Sequence, residues 1–176
     1  MLIDDYISLN SVVWLFLAAF MIHDFEEIIF VEPWMKKNYK RLRPRVPGPW
    51  QRLFQEMSGV TSSQFAVAVF VEFILFVPVA YLAAERGIWA LFIGFNALLF
   101  IHVFTHLGQS VLLRAYTPGV VTAVMVVLPY SVYLFYRLLR DGAATWQDLL
   151  VCAPSGLLLL PVVLAGHKLG KKVVPA

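Results

Sequence analysis

The chain has 176 residues, of which 60% are hydrophobic and 14% are charged, and its formal net charge is +3. A typical soluble domain is about 45–50% apolar and about 25% charged. This composition excludes a disordered chain, a nucleic-acid-binding arm and an ordinary soluble enzyme. The single cysteine, Cys152, excludes internal disulfides, thiolate zinc sites and iron–sulfur clusters. Apolar runs of about 18 residues or more predict an integral membrane protein.

Apolar runs separated by charged or Pro/Gly-rich breaks predict five transmembrane helices. Since lipid requires backbone groups to pair within each span, we expect an all-α membrane bundle that forms one domain over residues 1–176. The first span lacks a basic N-terminal region and carries a charged cluster, so we do not expect a cleavable signal peptide. The predicted spans are about Leu9–Val31, Gln64–Ala84, Gly87–Leu113, Gly119–Leu139 and Leu149–Gly166.

The distribution of basic residues favours one orientation of this bundle. With five spans, eleven of the fourteen Lys and Arg residues fall on the side that holds the first connecting segment and the C-terminal tail. The other side holds Arg86, Arg137 and Arg140. The positive-inside rule then places the N-terminus outside and the C-terminus in the cytoplasm. We therefore expect a multi-pass protein of the cytoplasmic membrane.

Residues 32–63 form a basic interfacial loop between the first two spans. Its prolines (Pro33, Pro44, Pro47 and Pro49) predict that no long helix runs through its first half. Gln51–Met57 is the exception and is predicted to form a short interfacial helix. Tryptophan and basic side chains suit the headgroup region of anionic lipid. The loop is either a lid or lipid-docking arm over a site, or a connector that lies along the membrane.

Titratable side chains inside the first and third spans are spaced to share helix faces. At 100° per residue, Glu26 lies 60° to one side of His23 and Glu27 lies 40° to the other. Asp24 points about 100° away from His23, toward a neighbouring helix or water. In the third span, His102 and His106 are four residues apart, which is the spacing at which one helix offers two imidazoles to one metal.

The same side chains also converge in depth. Counted from the predicted cytoplasmic ends, His23 and Glu72 lie about 12 Å deep. His106 and His102 lie about 10 and 16 Å deep, and the two glutamates of the first span about 6–8 Å. Imidazoles and carboxylates in one layer are ligands for a divalent metal, zinc or iron, with one or two ions per chain. The candidate ligands are His23, Glu26, Glu27, Glu72, His102 and His106. The alternative is a structural cluster of hydrogen-bonded side chains.

The run His23-Asp24-Phe25-Glu26-Glu27 resembles the signature of the HXXEE family, small membrane proteins of bacteria and archaea. The pair His102 and His106, Asn96 and the turn Tyr116–Gly119 are also similar to features of that family. The resemblance covers the chain from the first to the fourth span. It implies a metal-binding membrane protein, supplies no reaction, and singles out the histidines and the two glutamates of the first span.

The leading hypothesis is a membrane-embedded, metal-dependent enzyme, either a hydrolase or an oxidoreductase. Its substrate is a lipid or another apolar small molecule that reaches the site from the cytoplasmic leaflet, so membrane lipids are the expected partners and nucleic acid is not. Glu26 is the candidate catalytic residue, as a general base toward water activated by the metal. Zinc fits hydrolysis and two irons fit oxidation. A homodimer is compatible with the sequence.

Two other functions stay open at this point. Intramembrane acids and histidines also mark the ion pathways of transporters, although five spans without an inverted repeat make a poor monomeric transporter. The third reading is a non-catalytic subunit that binds a metal or a haem. His102 and His106 share a helix face and do not reach opposite sides of one haem, whereas His23 with either of them does.

Overall fold

The computed structural model describes residues 6–175, which form helices and turns without a strand. The two ends of the single domain predicted for residues 1–176 lie outside this range. The helices are α1 (Leu9–Leu42), α2 (Gly48–Met57), α3 (Ser62–Arg86), α4 (Ala90–Leu113), α5 (Val120–Thr122), α6 (Leu128–Arg140), α7 (Trp146–Cys152) and α8 (Leu159–Val173). A π-helical segment, 123–127, joins α5 to α6, and a 3₁₀ segment, 153–158, joins α7 to α8.

Within residues 6–175, four helical segments are long and apolar enough to cross a membrane. They are Ser62–Arg86, Ala90–Leu113, Val120–Arg140 and Trp146–Val173. Each contains most of one of the last four predicted spans, and that these segments cross a membrane stays a prediction. The first predicted span lies in α1, which is not among the four segments. The five-span topology and its orientation stay predictions.

The prediction that no long helix passes through the first half of the 32–63 segment is wrong. α1 has 34 residues, and it continues through Pro33 to Leu42. A proline inside a helix removes one backbone hydrogen bond and clashes with the preceding turn. The helix continues because packing outweighs that cost: Met35 and Leu42 are buried beyond the proline, and the Asn38 side-chain amide donates to the carbonyl of Trp34. The second half of the segment does contain the predicted short helix, α2.

An aromatic core joins α1, α3 and α4 immediately beside the titratable cluster. The ring of Phe16 lies 4.9 Å from that of Phe76 and 5.5 Å from that of Phe92, between ring centroids. Phe20 contacts Phe76 at 4.7 Å. Because residues three and four apart share a helix face, Phe16 and Phe20 place His23 on the same buried face of α1. The core therefore sets the rotation of α1 that turns His23 inward.

Glycines allow the C-terminal helices to approach their neighbours closely. A Cβ atom on Gly156 would lie 2.2 Å from the carbonyl oxygen of Gly94 in α4, so no larger residue fits there. Gly166 faces Ala68 and Gly170 faces Gln64, both in α3, and a Cβ on Gly170 would lie 2.3 Å from the Gln64 carbonyl oxygen. Small residues at such crossings are typical of helix packing in membranes. Close backbone contact thus attaches the last helical segment to α3 and α4.

We expect Gly156→Ala to destabilise the bundle by about 1–3 kcal/mol, because the added methyl group meets backbone that has no rotamer to change. Gly108→Ala is the control, since a Cβ at this helical glycine, which lies in α4, meets nothing within 4 Å. The control should be neutral or stabilising. Thermal unfolding of both variants in the same mild detergent measures the difference. Equal melting temperatures for the two variants would show that the α4 crossing is not tight.

Candidate metal centre

Four side chains from α1 and α4 form the densest cluster of potential ligands in the described part of the chain. His23, Glu27, His102 and His106 each offer one donor atom, and these atoms all lie within 4.8 Å of one another. His23 and His106 are buried, while Glu27 and His102 are partly exposed. The two helices thus bring together four of the six predicted ligands.

The three imidazoles are in direct contact. The Nε2 atoms of His102 and His106 lie 2.8 Å apart, and Nε2 of His106 lies 3.4 Å from Oε1 of Glu27. The ring centroid of His23 lies 4.9 Å from that of His106 and 5.4 Å from that of His102. Two imidazole nitrogens 2.8 Å apart, as in His102 and His106, either share one proton in a hydrogen bond or direct their lone pairs at one cation.

Thr122 sets the proton position on His23. The Thr122 hydroxyl donates to Oε2 of Glu26 at 2.6 Å, and its oxygen lies 3.1 Å from Nδ1 of His23. Since the hydroxyl proton is used toward the carboxylate, Nδ1 of His23 is the donor to the Thr122 oxygen, and Nε2 keeps its lone pair. Nε2 of His23 is buried and has no hydrogen-bond partner among residues 6–175. A free lone pair therefore points into the cluster.

His102 is held in the same way by a threonine of its own helix. The Thr105 hydroxyl donates to the backbone carbonyl of His102 at 2.7 Å, and its oxygen lies 3.1 Å from Nδ1 of that ring. Nδ1 of His102 is then the donor, and Nε2 carries the lone pair. Partners that orient the far nitrogen of a ligating histidine are the usual outer shell of metal sites in proteins. Both rings thus present the nitrogen that a metal needs.

Glu26 is engaged in hydrogen bonds instead of lying in the donor group. Its Oε1 accepts from the hydroxyl of Tyr116 at 2.6 Å, and its Oε2 accepts from both the backbone N–H and the hydroxyl of Thr122. These contacts join α1 to the turn before α5, about 90 residues later in the chain. The predicted roles of Glu26 as a ligand and as a base stay predictions.

Asp24 and Glu72 form an acidic flank of the cluster. Asp24 is 7% exposed, and its Oδ2 has no hydrogen-bond partner among the described residues. Its carboxyl interacts electrostatically with those of Glu27 and Glu72. Helix geometry predicted a neighbouring helix or water beside Asp24, and the structure has it buried. Glu72 lies outside the four-residue donor group, so its role as a ligand stays a prediction.

The turn at Gly119 lies directly against the cluster. Gly119 has a φ of 87°, and a Cβ there would lie 2.5 Å from Cε1 of His106 and 2.9 Å from Oε1 of Glu27. Only glycine combines this backbone conformation with so close an approach. The helix begins at Val120, and Pro118 lies in the turn before it.

Sequence reasoning missed the residues that support the histidines. Thr122 carries no charge, so no sequence pattern singles it out. Its position within one helical turn of the Tyr116–Gly119 run is the one feature that could have identified it. Asn96 is fully buried and donates to the Phe92 carbonyl of its own helix. The ring of His167 packs against Phe65, and His167 is not one of the four residues of the donor group.

The sequence profile described as a protein of unknown function with an HXXEE motif matches residues 14–134, which is more than half of the chain. The chain belongs to this HXXEE family. It is also similar to the uncharacterized protein YrkK of Bacillus subtilis (strain 168), with 27% identity over 170 residues that cover 91% of this chain and 96% of that protein. No solved structure gives a significant match.

The structure separates the HXXEE motif into two roles. His23 and Glu27, its first and last residues, belong to the donor group, whereas Glu26 is held by Tyr116 and Thr122. The motif residue Asp24 is buried on the acidic flank. The signature therefore supplies two potential ligands, His23 and Glu27. It also supplies Glu26, which holds the threonine that orients His23.

We expect Gly119→Ala to disturb the cluster more than Gly142→Ala does. Both glycines have a positive φ, so both variants carry the same kind of backbone strain. A Cβ at Gly142 meets nothing within 4 Å, whereas one at Gly119 meets His106 and Glu27. The melting temperature in detergent should fall further for Gly119→Ala, by the equivalent of about 1–3 kcal/mol. Equal losses would mean that the turn does not press on the histidines.

Proposed function

We propose that this protein is a membrane-embedded, metal-dependent enzyme that acts on a lipid or another apolar small molecule. One observation carries the proposal: His23, Glu27, His102 and His106 converge to within 4.8 Å on two helices of an apolar bundle. Polar groups buried in such surroundings cost free energy unless they are paired or bind an ion. A cluster with an unpartnered imidazole nitrogen is better explained by a ligand than by packing.

The donor set fits zinc or iron. Imidazole nitrogens suit both metals, and carboxylate oxygens complete mixed sites of the kind found in helical bundles. We assign His23, His102, His106 and Glu27 as ligands of one ion. A bound metal would supply Lewis-acid chemistry if it is zinc and redox chemistry if it is iron. A second ion would draw on Glu72, which lies on the acidic flank beside Glu27.

The residues of this chain have separate tasks in the proposed reaction. Thr122 and Thr105 hold His23 and His102 with Nε2 directed inward. Glu26 anchors Thr122 through Oε2, and its Oε1 has the Tyr116 hydroxyl as its hydrogen-bond partner. A substrate or water that displaces this hydroxyl meets a carboxylate oxygen that can accept a proton, so Glu26 remains the candidate base.

The orientation of the protein sets the side from which substrate arrives. We propose five spans, with α1 as the first, an outside N-terminus and a cytoplasmic C-terminus in the cytoplasmic membrane. The basic residues at the end of α1 then lie at the cytoplasmic headgroup region. Lipid of that leaflet would reach the partly exposed side of the cluster, where Glu27 and His102 lie.

His102→Ala and His106→Ala should each lose bound metal while the detergent-solubilised fold survives. Removing one of four ligands lowers the affinity, and the helices keep their packing through the aromatic core. Elemental analysis of purified wild type and variants, prepared without chelators, measures zinc, iron and manganese per chain. His167→Ala is the control, since His167 packs on Phe65 outside the donor group and should leave the metal content unchanged. Full metal content in both ligand variants would refute the ligand assignment.

The catalytic part of the proposal is tested by lipid turnover. Wild-type protein loaded with the metal found above should change the composition of vesicles made from bacterial polar lipids, and His106→Ala should not. Mass spectrometry of the extracted lipids before and after incubation measures the change. A hydrolysed lipid indicates the zinc reaction, and, in samples supplied with dioxygen and a reductant, a desaturated or oxygenated chain indicates the iron reaction. A metal-loaded wild type that leaves every lipid unchanged would contradict an enzyme that acts on bilayer lipids.

A further inference from the structure

An open cleft of about 630 Å³ lies where the end of α1 meets the turn after α4. Its α1 wall consists of Phe30, Pro33, Trp34, Lys37, Asn38 and Arg41. These positions follow the spacing of three and four residues that lines one face of a helix. Ala115 and Tyr116 form the opposite wall. The volume lies within the about 300–1,000 Å³ that is usual for pockets that bind small molecules.

The two walls are fixed to each other. Arg45, just after α1, donates to the carbonyl of Leu113 at the end of α4 at 2.7 Å. Below this contact, Leu42, Val46 and Leu113 form a small buried cluster against which Trp34 packs. The cleft therefore exists before any ligand binds, which lowers the entropic cost of binding.

The cleft carries positive charge without an acidic neighbour in its lining. Lys37 makes no hydrogen bond or ion pair with the described residues, and Arg41 donates to Oδ1 of Asn38 at 2.7 Å, which orders its guanidinium. The nearest acid along the helix, Glu32, is already neutralised by Lys36. The hydrogen bonds from Lys36 and from the Ser62 N–H hold the pKa of Glu32 below its usual value. Lys37 and Arg41 are thus left to attract an anion.

Tyr116 connects the cleft to the proposed metal centre. Its ring lines the cleft, and its hydroxyl donates to Oε1 of Glu26 at 2.6 Å. Glu26 holds Thr122, which in turn holds His23. At the other end of the cleft, Lys37 lies ten residues beyond Glu27, or about 15 Å along α1.

We propose that the cleft binds the anionic headgroup, a phosphate or a carboxylate, of the amphiphile on which the metal centre acts. Lys37 and Arg41 contact the charge, and Trp34 lies at the level of the headgroup. The apolar chain runs past Phe30, which is 46% exposed, toward Glu27. The proposal extends the enzyme function above. It rests on that function in treating the bound amphiphile as the substrate, while binding of the amphiphile itself needs no metal.

The test compares two double variants that each remove two positive charges from the same stretch of the chain. Lys37→Ala/Arg41→Ala removes the cations that line the cleft. Lys40→Ala/Arg43→Ala is the matched control, because neither residue lines it. Calorimetric titration of each protein in a neutral maltoside detergent uses decanoate and decyl phosphate as probes. Decanol serves as the neutral probe, and acetate and inorganic phosphate as headgroups without a chain.

We expect saturable binding of both anionic amphiphiles to the wild type and the control. Lys37→Ala/Arg41→Ala should weaken that binding at least about tenfold, since two charge-assisted contacts are lost. Acetate, inorganic phosphate and decanol should bind far more weakly. Equal weakening in both double variants would reduce the effect to diffuse surface charge, and headgroups that bind as tightly as the amphiphiles would make this a site for soluble anions. Either result, or no saturable binding, overturns the proposal.

The metal content of the same samples separates this proposal from the proposed function. Lys37→Ala/Arg41→Ala should keep its metal and its melting temperature, because both residues lie outside the donor group. Wild type that binds decyl phosphate but no metal would leave the headgroup site standing and refute the metal enzyme. Wild type that binds metal but no anionic amphiphile would refute the headgroup site and leave the proposed metal enzyme standing.

Discussion

The need to satisfy buried polar groups in an apolar bundle governs the middle of this structure. α1 carries a histidine and three carboxyls within five residues, and each would be costly in lipid or in a dry core if left alone. The chain resolves part of this cost by hydrogen bonding. Glu26 receives three hydrogen bonds from Tyr116 and Thr122, and His23 donates to the same threonine. Because these contacts cross from α1 to the start of α5, the polar cluster also fixes the packing of the helices that carry it.

The convergence of α1 and α4 could be predicted from sequence because it follows from simple periodicity. His102 and His106 are one turn apart, and His23 and Glu27 likewise, so each pair projects from one face. Counting residues from the span ends then brings the two faces to similar depth. The phenylalanines at positions 16 and 20 reinforce the result, since they place His23 on the buried face. Local rules were sufficient here because helices are rigid and their rise per residue is constant.

The parts that sequence did not predict depend on contacts between distant segments. Thr122 is an ordinary residue of an apolar helix until Glu26, 96 residues earlier, lies beside it. Similarly, the need for glycine at position 119 becomes clear only from the fold, because His106 and Glu27 lie within 3 Å of the place where a Cβ would be. Pro33 led to the wrong prediction that the helix ends there. Its local preference is outweighed by the burial of Met35 and Leu42 further along α1. Uncharged hydroxyls and glycines carry no pattern that periodicity can detect.

Glu27 lies where the two halves of the cluster meet. On one side its Oε1 faces the imidazole of His106, and on the other its carboxyl interacts with those of Asp24 and Glu72. Buried carboxyls that repel one another disfavour full ionisation of the group, and either protonation or a nearby cation relieves that cost. The donor group contains no lysine or arginine. Its three imidazoles could instead bind a cation through their lone pairs. A divalent cation among the histidines, as in the proposed function, would relieve the acidic flank as well, so one occupant would serve both halves of the cluster.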